Sequence, residues 1–231
     1  IKKQTNPYEY IHTVIPALKY SISKYKPISR SYFKMIEISK LLNIFEKYDD
    51  KNIYTLSLCE GPGGFIEAIN NIRQNKNDKY YGITLQSDTN DIPNWKKINL
   101  LNKKNIIIEN GIDNTGNILK IENLIYCYEQ YKNKFEIITG DGGIDFSQDF
   151  DEQENNSLEL ILGQVCFGVL MQKHGGNFIL KIFDTHSSFM IDILYFLSSL
   201  YNKTYIIKPN TSRYGNSERY VVCKNFKLKC S

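Results

Sequence analysis

The chain has 231 residues, 42% of them hydrophobic and 23% charged, enough to bury one sizeable core and to form a single α/β domain. Its net charge of +4, from 29 Lys+Arg against 25 Asp+Glu, together with 17 tyrosines, suits an acidic partner such as RNA; a lysine-, asparagine-, isoleucine- and tyrosine-rich composition set by an AT-rich genome explains the same bias. No run of about 18 apolar residues occurs and the first ten residues lack a signal peptide's apolar core, so neither a membrane span nor an export signal is expected.

In chain order, residues 1–29 carry Pro7, Pro16 and Pro27 and read as an irregular extension ahead of a domain at 30–231. Apolar residues at Phe33, Ile36, Ile38, Leu41, Leu42 and Phe45 then recur near helical period, predicting a helix up to Tyr48. The β-branched run IYTLSL (53–58) reads as a strand stopped by glycines, and a helix follows over 64–73. KYYGITL (79–85) and NIIIE (105–109) read as strands, 118–131 as a helix and FEIITG (135–140) as a strand. Residues 157–173 read as a helix, 176–183 as a strand and 188–201 as a helix. The strands 203–209 and 218–224, joined by a loop without a helix, suggest an antiparallel edge pair. Strands alternating with helices imply a mainly parallel sheet covered on both faces.

Five scattered cysteines, Cys59, Cys127, Cys166, Cys223 and Cys230, form no CxxC pair and read as reduced thiols in a reducing compartment. The histidines His12, His174 and His186 have no zinc-ligand spacing, so no structural zinc is expected.

The stretch LSLCEGPGGFIEAI (56–69) sets a strand, a glycine-rich turn and a helix N-terminus in succession, which brings backbone close to a ligand at the carboxyl edge of a sheet. It is not a phosphate loop, because Glu67 stands where that motif needs lysine, nor a dinucleotide fingerprint, because Ile66 stands where it needs glycine. A turn for a sugar, adenine or amino-acid moiety remains, beside the plainer reading of a tight turn with no ligand. Asp141 directly follows an apolar strand, and Lys181 lies inside one, where it must reach the sheet's end or pair with a carboxylate. Glu218 opens the last strand and reads either as a site residue or as a solvated carboxylate.

CEGPGGF (59–65), GDGGID (140–145), FILKIFD (178–184) and KPNTSRYGNSERYVVCK (208–224) resemble, in order, the motifs of the FtsJ-like ribose 2′-O-methyltransferases, most of all the cap-specific messenger RNA enzymes of eukaryotes and large DNA viruses. The resemblance runs from about Arg30 to Lys227. It implies a Rossmann-like class I methyltransferase fold, with a mostly parallel seven-stranded sheet, an antiparallel edge hairpin and helices on both faces. It implies S-adenosylmethionine as donor, held by Cys59, Glu60, Gly61, Pro62, Gly63, Gly64 and Phe65, with Asp113, Asn117 and Ile118 toward its adenosine part and Asp141 beside it. Asn117 stands where the family usually has aspartate, and Asp113 is the substitute. The implied catalytic tetrad is Lys34, Asp141, Lys181 and Glu218, and the implied capped-RNA contacts are Asn155, Arg213, Ser217 and Glu218.

Methyl transfer to a ribose hydroxyl is an in-line displacement that needs alignment and a base. Lys181 is expected to be that base, Asp141 and Glu218 to orient it and the ribose, and Lys34 to tune the charge. Burial and Lys34 would depress the Lys181 pKa while the two carboxylates oppose them, and sequence leaves the net sign open. No metal is needed, because the donor's sulfonium becomes neutral. The resemblance further implies capped RNA as partner and association with other capping enzymes or the transcription machinery; with the reduced cysteines and the lack of an apolar span, no membrane partner is expected and the site is intracellular, nuclear, or cytoplasmic or virion if viral. Two alternatives stay open: ribosomal or transfer RNA methylation on this fold, and a catalytically silent RNA-binding module.

Overall fold

The structure, a computed structural model, describes residues 6–86, 94–95, 102–143 and 153–229, apart from the side chains of 153–156. Seven strands form one sheet: β1 (Tyr54–Leu58), β2 (Lys79–Ile83), β3 (Ile106–Glu109), β4 (Phe135–Gly140), β5 (Gln172–Ile182), β6 (Tyr201–Ile207) and β7 (Arg219–Phe226). Their order is β3-β2-β1-β4-β5-β7-β6, and only β7 runs antiparallel to its neighbours. Among the described residues five α-helices accompany the sheet: α1 (Ser31–Leu41), α2 (Gly64–Arg73), α3 (Ile121–Tyr131), α4 (Gln153–Met171) and α5 (Ser188–Leu200). No helix among the described residues is long and apolar enough to cross a membrane.

The strands are apolar on both faces because both are covered. Successive residues point to opposite sides, so Ile137, Ile179 and Val222 join Met35, Ile38, Phe65 and Ile69 under α1 and α2. Ile138, Leu180 and Val221 join Cys127, Val165 and Met190 under α3, α4 and α5. The expected mainly parallel sheet with an edge hairpin is therefore present, with one refinement. β7 is inserted between β5 and the edge strand β6.

Boundaries differ from the sequence reading where side chains override periodicity. The first helix stops at Leu41 rather than Tyr48, because Asn43 takes a left-handed φ of 48° and Lys224 Nζ donates to the freed Leu42 carbonyl at 2.6 Å. The helix expected from 118 starts at Ile121, since the Asn117 side chain accepts from Leu119 N and holds that stretch as loop. β5 begins at Gln172, four residues before the expected strand, because the Gln172 side chain donates to the Phe135 carbonyl and accepts from Tyr201 Oη inside the core.

Candidate active site

Strand order reverses between β1 and β4, where open α/β sheets leave a crevice at their carboxyl ends. The two strands deliver Cys59 and Asp141 to that crevice side by side, and Asp141 N donates to Leu58 O at 3.2 Å. Beyond β1 the chain turns through Cys59, with φ 54°, and a cis Gly61–Pro62 peptide into α2. The N-cap of α2 is Gly63, which has no side chain to satisfy the helix's first N–H groups. Glu60 does so instead: its Oε1 accepts from Phe65 N at 2.5 Å and Ile66 N at 3.2 Å. Burial and the neighbouring Asp141 carboxylate raise the Glu60 pKa well above the usual carboxylate range, while the two N–H bonds oppose that shift.

The glycines of the turn have different reasons. Gly63 has φ +113°, and a Cβ there would make only ordinary contacts with Ile28 and Trp95, at 3.7 and 3.8 Å. Backbone conformation, not space, therefore restricts position 63. At Gly64 a Cβ would fall 2.1 Å from Ser31 Oγ and 2.2 Å from Ser29 Oγ, so close packing of the α1 entry restricts position 64. Phe65 is fully buried against Tyr220, their ring centroids 6.1 Å apart, and belongs to the core under α1 and α2.

The segment 110–118 lies at the adjoining ends of β2 and β3. A Cβ at Gly116 would sit 2.0 Å from Thr84 O, and Thr84 Oγ1 in turn accepts from Gly61 N at 3.3 Å. Thr84 thus joins this loop to the glycine turn. Asp113 spends both oxygens on its own loop, accepting from Thr115, Asn123 and Lys120. The Lys120 ammonium beside it holds its carboxyl below the ordinary range. Ile118 is buried at 5% exposure.

The four tetrad residues come together as two ion pairs. Lys34 Nζ lies 2.7 Å from Glu218 Oε1 and 2.8 Å from Oε2. Lys181 Nζ donates to the Asp141 carbonyl at 2.8 Å and lies 3.4 Å from its carboxylate. Burial pulls the Lys181 pKa down, but Asp141 and Glu218 push it up by more, so the net shift is upward and the amine carries its proton. Burial would raise Glu218, yet Lys34 and Lys181 prevail and hold it at about 2. Burial also pushes the Cys59 thiol up to about 12.

Two members of the cluster escaped the sequence reading. Tyr220 donates from Oη to Asp141 Oδ1 at 2.8 Å and faces Lys181 across the β5–β7 pair. Ser212 donates from Oγ to Glu218 Oε1 at 2.7 Å. Tyr220 had a signal, because it is two residues beyond Glu218 in the strand predicted over 218–224, which puts both on one face, although β7 itself begins at Arg219; Ser212 had none. Of the expected RNA contacts, Arg213 directs Nε and Nη2 to Glu9, at 3.1 and 3.0 Å. The Ser217 carbonyl accepts from Arg219. Asn155 lies in α4 by its backbone, and its side chain is outside the described residues, as are Ile144–Asp145 of GDGGID and Cys230.

Residues 27–226 match the model of the FtsJ-like methyltransferase family. A cap-specific mRNA (nucleoside-2′-O-)-methyltransferase 1 of Dictyostelium discoideum is 34% identical over 97% of this chain and 31% of its own length. A protein of African swine fever virus described as a probable methyltransferase is 30% identical over 87% of this chain and 52% of its own length. The chain therefore spans 31% of the length of the first relative and 52% of the second. A Plasmodium falciparum structure described as a ribosomal RNA methyltransferase superposes with a TM-score of 0.60 at 26% identity, covering 87% of this chain and 99% of that one.

Proposed function

The chain belongs to the FtsJ-like methyltransferase family, and from that premise we propose that it transfers a methyl group from S-adenosylmethionine to the ribose 2′-oxygen of the first transcribed nucleotide of capped messenger RNA. The observation that carries this reading is the doubled ion pair, Lys34–Glu218 and Lys181–Asp141, standing beside the glycine turn at the sheet's switch point. The cap-specific relatives support the choice of RNA.

The residues present suit the donor. Glu60 and Asp141 set two carboxyl groups at the turn, and a ligand that carries a sulfonium and an ammonium would oppose the burial and mutual repulsion that raise the Glu60 pKa. Gly61 to Phe65 would hold it, with Asn117 and Ile118 on the adenosine side and Asp113 ordering that loop. When bound, the donor supplies an electrophilic methyl group and leaves as a neutral thioether. Lys181 receives the 2′-hydroxyl proton at Nζ, having first released to solvent the proton that its raised pKa places there. Asp141, steadied by Tyr220, and Glu218, steadied by Ser212 and Lys34, fix the direction of that amine. Ser217 and Arg213 lie on the acceptor-side loop with Glu218, and Asn155 is assigned to the RNA with them. Other capping enzymes or the transcription machinery as partners, and a nuclear, cytoplasmic or virion site of action, belong to the same proposal.

The deciding experiment incubates the protein with labelled donor and defined transcripts, then maps the labelled nucleotide. Capped transcripts should carry label on the ribose of nucleotide one, and identical transcripts ending in triphosphate should react far more slowly. The likeness to the Plasmodium structure favours ribosomal RNA as the second reading. Equal rates with and without cap, or label at an internal ribosomal position, would select it.

A further inference from the structure

We propose that the segment Asn6–Arg30 is a strap that sets the acceptor side of the site, with Glu9 as the positioning residue that fixes Glu218 through the loop between β6 and β7. The inference rests on the methyl-transfer reading above.

Glu9 lies in the proline-containing stretch ahead of the sheet, yet its side chain is 1% exposed. Arg213 of the β6–β7 loop reaches both of its oxygens, and Arg30 Nη1 donates to Oε2 at 2.7 Å. The Arg213 bonds, with help from Arg30, outweigh burial and hold the Glu9 carboxyl at about 2. The strap grips the same loop at two more points. Asn6 Nδ2 donates to Ser212 O at 3.2 Å, and Arg30 Nη2 to Thr211 O at 3.0 Å. Ser212 is the residue whose hydroxyl donates to Glu218. The path from Glu9 to the site is therefore Glu9–Arg213, one residue along the chain to Ser212, then Glu218.

The far end of the strap rests on the donor side. Glu67 of α2 accepts from Tyr25 Oη at 2.6 Å and from Ile28 N at 2.8 Å, and Ser29 packs on Gly64. One segment thus holds both the helix that opens the donor turn and the loop that carries the acceptor-side carboxylate. A buried carboxylate flanked by two guanidiniums is a poor way to gain stability and an effective way to fix one geometry. The in-line reaction makes that geometry count, since an offset of about 1 Å costs on the order of 100-fold in rate.

The test is Glu9→Gln, which keeps the shape and removes the charge. The kcat should fall roughly 10- to 100-fold with donor affinity unchanged. In a Ser212→Ala background, the same substitution should cost little more, because both act through Glu218. An unchanged kcat, an equal loss of donor binding, or losses that multiply in the double variant would overturn the proposal. If Glu9→Gln does not fold, Asn6→Ala keeps Glu9, removes the bond to Ser212 together with the local cap on Tyr8 N, and should give the same pattern at smaller size. If the wild-type protein methylates no RNA, the methyl-transfer reading falls and amide exchange decides the strap alone. Faster exchange at Ser212 and Asn216 in Glu9→Gln, with β7 unchanged, supports it, and unchanged exchange at both refutes it.

Discussion

At the scale of the residue, protonation decides what Lys181 can do. Two carboxylates overcome its burial and keep the ammonium charged, so a base there is scarce at neutral pH and the rate should climb with pH without levelling off near neutrality. Lys181→Arg separates base from cation, since a guanidinium keeps the charge but does not deprotonate. Loss of nearly all turnover, with donor binding retained in calorimetry, is expected; substantial turnover by the arginine variant would assign Lys181 to charge alone. Gly63 makes a second case. Valine at φ +113° brings strain of about 1–3 kcal/mol, and relief by rotating the turn would pull Phe65 N and Ile66 N off Glu60. A folded Gly63→Val protein should therefore bind S-adenosylmethionine weakly or not at all in titration, and wild-type affinity would separate this turn from donor binding.

At the scale of the element, one buried ion pair ties three segments below the site. Asp78, fully buried, accepts from Arg73 Nε at 2.8 Å, from Ile53 N at 2.8 Å and from Tyr80 Oη at 3.1 Å. Arg73 also donates to the carbonyls of Tyr48 and Lys51. This joins the end of α2 to the entries of β1 and β2. Asp78→Ala leaves a guanidinium and an amide without that partner, and breaking such a pair costs about 3–5 kcal/mol. Urea unfolding should show the loss as a lower midpoint with an unchanged slope. A loss too small to measure would mean that the pair is not what anchors α2. Helices and strands themselves were legible: α2 and β4 have the limits that their sequence pattern predicts. Boundaries differ at Asn43, where the backbone turns left-handed and Lys224 takes the Leu42 carbonyl, and at Asn117 and Gln172, whose side chains bond backbone; hydrophobic period records none of these.

At the scale of the molecule, the strap makes acid stability a property of the whole chain. Glu9 and Glu218 both have folded pKa values of about 2, below the ordinary 4.5. Depressed carboxylates stabilise above their unfolded pKa and lose that contribution as pH falls through the folded value. Stability should therefore decline between pH about 4.5 and 2, and Glu9→Gln should flatten part of that decline in unfolding curves taken across the range. An unflattened slope would mean that the Glu9 cluster is not formed in solution. The sequence by itself determined the alternation of strands and helices, the glycine turn and the order of the motifs, because period, β-branching and glycine act over a few neighbouring residues. It also placed Lys34, Asp141, Lys181 and Glu218 together through resemblance, but not how they pair. Only the tertiary structure decided that Lys34 takes Glu218 and Lys181 takes Asp141, that Tyr220 and Ser212 join them, and that Glu9 reaches Arg213 across 204 positions. Such pairings depend on which chain segments the closed sheet brings within about 3 Å, and the local pattern of a sequence holds no trace of that distance.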